Sequence, residues 1–290
     1  MRSINFTKTT MLVVCALGLM VLAGFGEAWA ECDNSTIRGA YTTAFTALVG
    51  GPGDPNIGDY LPVARIGALT FTPDPGSRTT GTLSGADTIS IAGFLKPLNY
   101  TGTYEVHSDC TGFAILNAFT SATDLQLVIL DHGKQIDWIR ADDGLVTAGN
   151  FRAQNVECGN SIVDGKYAYA YDYGLSTAHA NVFSGLSAFA PGAASGSLTF
   201  RPDGSLSGVD VVSEEGAIRP RVFTGTYSLN SDCTGTMELD EVVAGGGGAA
   251  LHANVVISAG GKEIDFLQTD AGTVVAFTLK KAGRGEGEGR

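Results

Sequence analysis

The chain has 290 residues, 44% of them apolar and 17% charged, with 40 glycines and only 9 prolines. That balance supports a buried core and, with no Gly-X-Y period, excludes collagen and long disordered tracts. The 18 basic and 30 acidic residues give a net charge of −12, which opposes phosphate backbones and argues against a nucleic-acid partner.

Residues 1–30 read as a secretory signal peptide. Arg2 and Lys8 form a basic start, Met11 to Phe25 is a nearly unbroken apolar run, and Ala28-Trp29-Ala30 supplies a small-x-small cleavage site. The run falls short of the roughly 20 residues that span a bilayer, which disfavours an uncleaved anchor. Neither Cys15 nor Cys32 follows the small residue of a lipidation box. The product is expected to be secreted or periplasmic, with no membrane span after cleavage.

From residue 31 onward one unit is written twice. Cys32-Asp33-Asn34-Ser35 returns as Cys158-Gly159-Asn160-Ser161, and Gly39-x-Tyr41 returns as Gly165-x-Tyr167. Leu69-Thr70-Phe71 returns as Leu198-Thr199-Phe200, and Thr101-Gly102-Thr103-Tyr104 as Thr224-Gly225-Thr226-Tyr227. Ser108-Asp109-Cys110-Thr111-Gly112 recurs unchanged at 231–235. Lys134-x-Ile136-Asp137 matches Lys262-x-Ile264-Asp265, and Asp142-x-Gly144 matches Asp270-x-Gly272. The offsets drift only between 123 and 129, as small loop insertions produce. The expected organisation is a first repeat over 31–155, a second over 156–281, and a disordered Gly/charged tail over 282–290.

Within each copy, period-two alternation is broken by turn residues every 8 to 15 positions. In the first copy the extended runs are Gly39–Leu48, Ala64–Phe71, Arg78–Ile91 and Tyr100–Val106, then Phe113–Phe119, Leu125–Leu130, Gln135–Arg140 and Leu145–Arg152. Clusters such as Pro73-Asp74-Pro75-Gly76 and Arg201-Pro202-Asp203-Gly204 supply the bends. The connections are too short for parallel crossovers. The pattern therefore predicts an all-β chain of two tandem antiparallel eight-stranded up-and-down β-barrels, with two β-sandwiches as the alternative.

The repeat also sorts the four cysteines that follow the signal segment. Cys32 and Cys110 belong to the first copy and Cys158 and Cys233 to the second, so each copy is expected to close its own disulfide in an oxidising compartment. No C-x-x-C pair or suitably spaced histidine supports a metal site, and none is expected.

Signals of chemistry are sparse. The chain has no G-x-S-x-G, H-E-x-x-H, P-loop or haem-attachment string, so no catalytic residue and no cofactor is assigned. His107 and His132 have no histidine counterpart in the second copy. Asp137 and Asp265 recur beside residues of mixed polarity. They serve as ligand anchors or raised-pKa acids if they face the lumen, or as solvated partners of Lys134 and Lys262 if they face outward. Tyr167, Tyr169, Tyr171 and Tyr173 alternate along one strand and share one face. Such a stripe lines a ligand pocket, fills a core, or meets the other domain. Asn34 and Asn99 begin N-x-[ST] sequons.

The repeated strings G-x-Y, L-T-F, T-G-T-Y, D-C-T-G and K-x-I-D resemble a group of bacterial secreted tandem β-barrel proteins of unassigned function. Their domains are similar to calycin-like and allene-oxide-cyclase/dirigent-like barrels. The resemblance implies architecture and, by analogy, a hydrophobic interior; it carries no catalytic residue onto this chain. The expected function is that of an exported, non-enzymatic protein binding a small apolar or aromatic ligand or a surface partner. The alternatives are a barrel-cavity isomerase or cyclase using Asp137 or Asp265, and a structural or adhesive envelope protein.

Overall fold

The computed structural model describes residues 31–50, 60–118, 121–141, 145–177, 189–243 and 248–283. The signal-like segment 1–30, His179 and the last seven residues lie outside the described part. The first copy builds β1 (Gly39–Gly50), β2 (Tyr60–Pro73), β3 (Thr80–Ile91), β4 (Phe94–Val106) and β5 (Thr111–Ala118). It continues through β6 (Ser121–Leu130), β7 (Gln135–Arg140), β8 (Leu145–Val146) and β9 (Ala148–Ala153). The second copy repeats the series as β10 (Gly165–Thr177), β11 (Phe189–Phe200), β12 (Ser205–Glu214), β13 (Ala217–Leu229) and β14 (Thr234–Glu241). It ends in β15 (Ala250–Ser258), β16 (Glu263–Gln268), β17 (Thr273–Val274) and β18 (Ala276–Lys281).

Every described pairing is antiparallel, and β1 to β7 and β10 to β16 follow one another in the sheet in chain order. Strand β1 pairs with β2 on one side and with β9 and β8 on the other, so the first sheet closes on itself; β10 closes the second against β11, β18 and β17. Among the described residues closure removes the long sheet edges and leaves only the two-residue strands β8 and β17 paired on one side. The expected eighth strand, Leu145–Arg152, is broken at Thr147 into β8 and β9, each pairing with a different stretch of β1. The β3–β4 hairpin is tighter than its sequence suggests. Ala92 and Gly93 both take positive φ, 51° and 80°, as a two-residue primed turn requires.

Alternation decides what is inside. In β5 the even positions Gly112, Ala114, Leu116 and Ala118 are buried while their neighbours are not. Each lumen holds its own apolar cluster, and a third cluster forms where the outer wall of β1–β2 meets that of β15–β18. Disulfides link Cys32 to Cys110 and Cys158 to Cys233, one in each barrel. Among the described residues no helix is long and apolar enough to cross a membrane.

Candidate functional site

The G-x-Y, L-T-F, T-G-T-Y and D-C-T-G strings converge on one end of each barrel, and their job there is structural. Tyr41 of G-x-Y donates its hydroxyl to the Gly133 carbonyl at 2.6 Å, and Tyr167 makes the same bond to Gly261. Phe71 of L-T-F meets Tyr41 and Tyr104 edge-on, with ring centroids 5.3 and 5.1 Å apart; Phe200 meets Tyr167 and Tyr227 at 5.3 and 5.1 Å. The hydroxyls of Tyr104 and Tyr227 donate to the carbonyls of Asn34 and Asn160. In the D-C-T-G turn, Asp109 accepts from the Thr111 amide and hydroxyl at 3.0 and 2.7 Å, which supports Cys110 in the left-handed region (φ 64°). Asp232, Thr234 and Cys233 repeat that turn. The duplicated motifs are thus an aromatic plug and a disulfide-anchored turn.

Above each plug lies a feature that the sequence reading missed: a buried carboxylate clamped by arginine and tyrosine. Asp87 in β3 and Asp210 in β12 occupy equivalent positions, and both are buried on the lumen face. Arg65 of β2 forms an ion pair with Asp87, and the Tyr100 hydroxyl of β4 donates to it at 3.3 Å. In the second barrel the partners have changed sides. Arg221 comes from β13 and donates to Asp210 through Nε at 2.9 Å and Nη2 at 2.6 Å, while Tyr169 of β10 donates at 2.7 Å. Glycine across the ladder makes room: a Cβ on Gly67 would sit 1.9 Å from an Asp87 oxygen, and one on Gly196 would sit 2.4 Å from the Asp210 Cβ. Burial pushes the Asp87 carboxyl up to about 6 against the pull of Arg65. The signal was present as Gly85-x-Asp87 against Gly208-x-Asp210, a G-x-D block at the same offset as T-G-T-Y.

The tyrosine stripe divides by depth. Tyr167 belongs to the plug, Tyr169 to the Asp210 clamp, and Tyr171 is half-buried; the side chain of Tyr173 lies outside the described part. Tyr169 and Tyr171 stack on Phe277 at 4.9 and 5.1 Å, and Phe277 stacks on Phe266 at 4.4 Å. In the first barrel the places of Phe266 and Phe277 are taken by Trp138 and Gly149. Trp138 stacks on Phe151 at 5.7 Å and meets Phe45 edge-on at 5.0 Å. The described lumen positions are therefore occupied by the protein's own rings and ion pairs.

The two recurring aspartates stand on the outer wall. Asp137 alternates with the lumen-facing Ile136 and Trp138, is half-buried, and accepts from Gln135 at 2.7 Å. Asp265 points the same way but is buried where the barrels meet, accepting from the Thr278 hydroxyl at 2.7 Å; burial raises its pKa. Asn34 is buried, with its amide donating to the Ser77 and Thr80 carbonyls at 3.0 and 2.7 Å, so that sequon is closed. His252 is exposed and bonded to Asp270 at 2.8 Å, which raises its pKa. Among the described residues no cluster of His, Cys, Asp and Glu is arranged to hold a metal.

A concavity with polar lining lies between the barrels, a cleft of about 630 Å³. One wall comes from β2–β4, with Thr70, Ser84, Ala86, Thr88 and Asn99; the other comes from the second barrel, with Asn230, Thr236 and Asn254. The Asn254 amide donates to the Thr88 hydroxyl across the cleft at 2.7 Å.

No protein-family model and no curated protein matches the chain. Among solved structures, Aeromonas veronii immune modulator A is similar over 84% of this chain and 94% of its own, at 10% identity and a TM-score of 0.23. A TM-score that low supports no argument about function.

Proposed function

We propose that the protein is an exported, non-enzymatic binding protein whose ligand site is the cleft between its two barrels. The observation that carries this reading is the convergence of side chains from both barrels on one concavity of about 630 Å³, bridged by Asn254 and Thr88. The lining side chains are mainly hydroxyls, amides and small apolar groups, with the exposed carboxylate of Asp232 among them to oppose an anion and that of Asp87 turned away to Arg65. They favour an uncharged ligand rich in hydroxyl or amide groups, of the saccharide class, over the apolar or aromatic one expected of a tyrosine-lined lumen. The occupied lumens point the same way, since Tyr169 and Tyr171 already stack on Phe277. The closed antiparallel meander supports an architectural likeness to calycin-like and allene-oxide-cyclase/dirigent-like barrels, with the ligand held outside the barrel. Two disulfides support the export of a chain whose residues 1–30 resemble a signal peptide.

Ala86 is exposed on the cleft wall, so Ala86→Trp fills the cleft without touching either core. On an array of neutral glycans the wild type is expected to bind a defined subset, and Ala86→Trp to lose at least about tenfold in affinity, about 1.4 kcal/mol, with its melting temperature unchanged. An array with no bound glycan, or equal binding by the variant, overturns the reading.

A further inference from the structure

The joint between the barrels joins two different surfaces, and the duplication leaves one spare copy of each. Within the chain, Ala64 and Ile66 on the outer wall of β2 pack against Val256, Leu267 and Val274 of the second barrel. Ser90 donates to the Thr273 carbonyl at 2.9 Å and the Gly272 amide to the Gly93 carbonyl at 3.1 Å along the same seam.

The second barrel carries the counterpart of the first of these surfaces. Ladder register places Ala193 where Ala64 stands, Ser195 where Ile66 stands, and Val211 where Thr88 stands. This wall is open: Val211 is 50% exposed and Ile218 beside it 74%. Ala170, Ala193, Ser195, Val211, Ser213 and Ile218 line an apolar groove of about 440 Å³ there.

The first barrel carries the counterpart of the second surface. Val128 and Ile139 occupy the register positions of Val256 and Leu267. Val256 and Leu267 are buried at 2% and 0% exposure, whereas Val128 and Ile139 stand at 48% and 55%, with Leu130 open beside them. Bulk has also changed sides. The joint within the chain has Ile66 on one face and Ser258 on the other, while the spare faces offer Ser195 and Leu130.

We propose that these spare faces dock on each other between chains, so that a second copy of the protein seats its β6–β7 wall in the β11–β12 groove of the first. The contact repeats the joint already present within each chain. Such an interface is heterologous, so assembly proceeds head to tail until a rotation closes a ring or a filament grows. It lacks the Arg152–Glu263 ion pair of the inner joint, because the equivalents of those residues are Lys280 and Gln135. The contact therefore has an apolar centre, with Asp137 beside Val128 in the place that Asp265 holds at the inner joint, and it weakens in the cold as hydrophobic association does.

Sedimentation velocity of the full mature chain over a concentration series tests this, using Val211→Arg to block one face and Ile139→Arg to block the other. Both side chains are exposed, so both variants are expected to fold with wild-type circular dichroism. Wild type is expected to grow beyond a dimer, and each variant alone to remain monomeric. An equimolar mixture of the two variants is expected to form a 1:1 dimer and stop there. A wild type that stays monomeric up to its solubility limit overturns the proposal, as do assemblies that survive both substitutions. Two variants that fail to pair in the mixture mean a symmetric contact and overturn it equally. Monomers that bind phosphatidylcholine vesicles through Ile139 would assign the face to a membrane instead.

Discussion

Arg221 lies directly across the β12–β13 ladder from Asp210 and clamps its carboxylate with hydrogen bonds of 2.9 and 2.6 Å, both side chains turned into the lumen of the second barrel. Asp210 is fully buried and takes its hydrogen bonds from that clamp and from Tyr169. Arg221→Met is expected to destabilise the protein by roughly 3–5 kcal/mol, because it strands a buried carboxylate. Adding Asp210→Asn keeps an acceptor for Tyr169 and removes the stranded charge, so the double variant is expected to recover much of the loss. Urea-denaturation midpoints of the two variants check this; a double variant no better than the single one contradicts the pairing.

In the first barrel the matching carboxylate gives a pH dependence. Burial raises Asp87 to about 6 from its ordinary 3.8, so folding takes up a proton between those values. The contribution to stability is whole below about pH 4 and is lost as pH rises through about 6. Asp265, also raised by burial, acts with the same sign. Asp87→Asn is expected to flatten the fall in melting temperature between pH 4 and 6, leaving the share that belongs to Asp265. An unchanged slope contradicts the assignment.

Gly149 faces Trp138 across the β7–β9 ladder, and a Cβ there would sit 2.6 Å from the indole. Gly149→Ala is therefore expected to cost about 1–3 kcal/mol by overpacking. The second barrel solves the same space with Phe266, Phe277 and Leu279, so the triple change Trp138→Phe, Gly149→Phe, Phe151→Leu is expected to recover stability that Gly149→Phe alone loses. Thermal melts of the three variants decide it.

Replacing Cys158 and Cys233 with serine opens a loop of 75 residues. The loop-entropy argument gives an upper loss of about 4 kcal/mol. The plug end of the second barrel, where Cys233 takes the left-handed turn, is expected to gain amide exchange first, and hydrogen–deuterium exchange reads that directly.

Strand number, closure and disulfide pairing were legible because period-two alternation and the doubled cysteines are local signals. The joint was not. Val128 and Val256 are the same residue at the same register position, as are Asp137 and Asp265, yet only the second of each pair is buried by the other barrel. Nothing in the local sequence distinguishes them, because their burial is decided by a partner surface more than a hundred residues away. The Asp87 and Asp210 clamps stayed hidden for a related reason. Their arginine and tyrosine come from different strands in the two copies, Arg65 and Tyr100 against Arg221 and Tyr169, so matching repeats column by column dissolves the pattern. The cleft, likewise, belongs to neither copy alone.

A crystal soaked with a neutral oligosaccharide selected on the array separates cleft from lumen most directly. Density is expected between the barrels, against Ser84, Thr88, Asn99 and Asn254. Density inside the second barrel, beside Tyr171 and Arg221, would contradict the account.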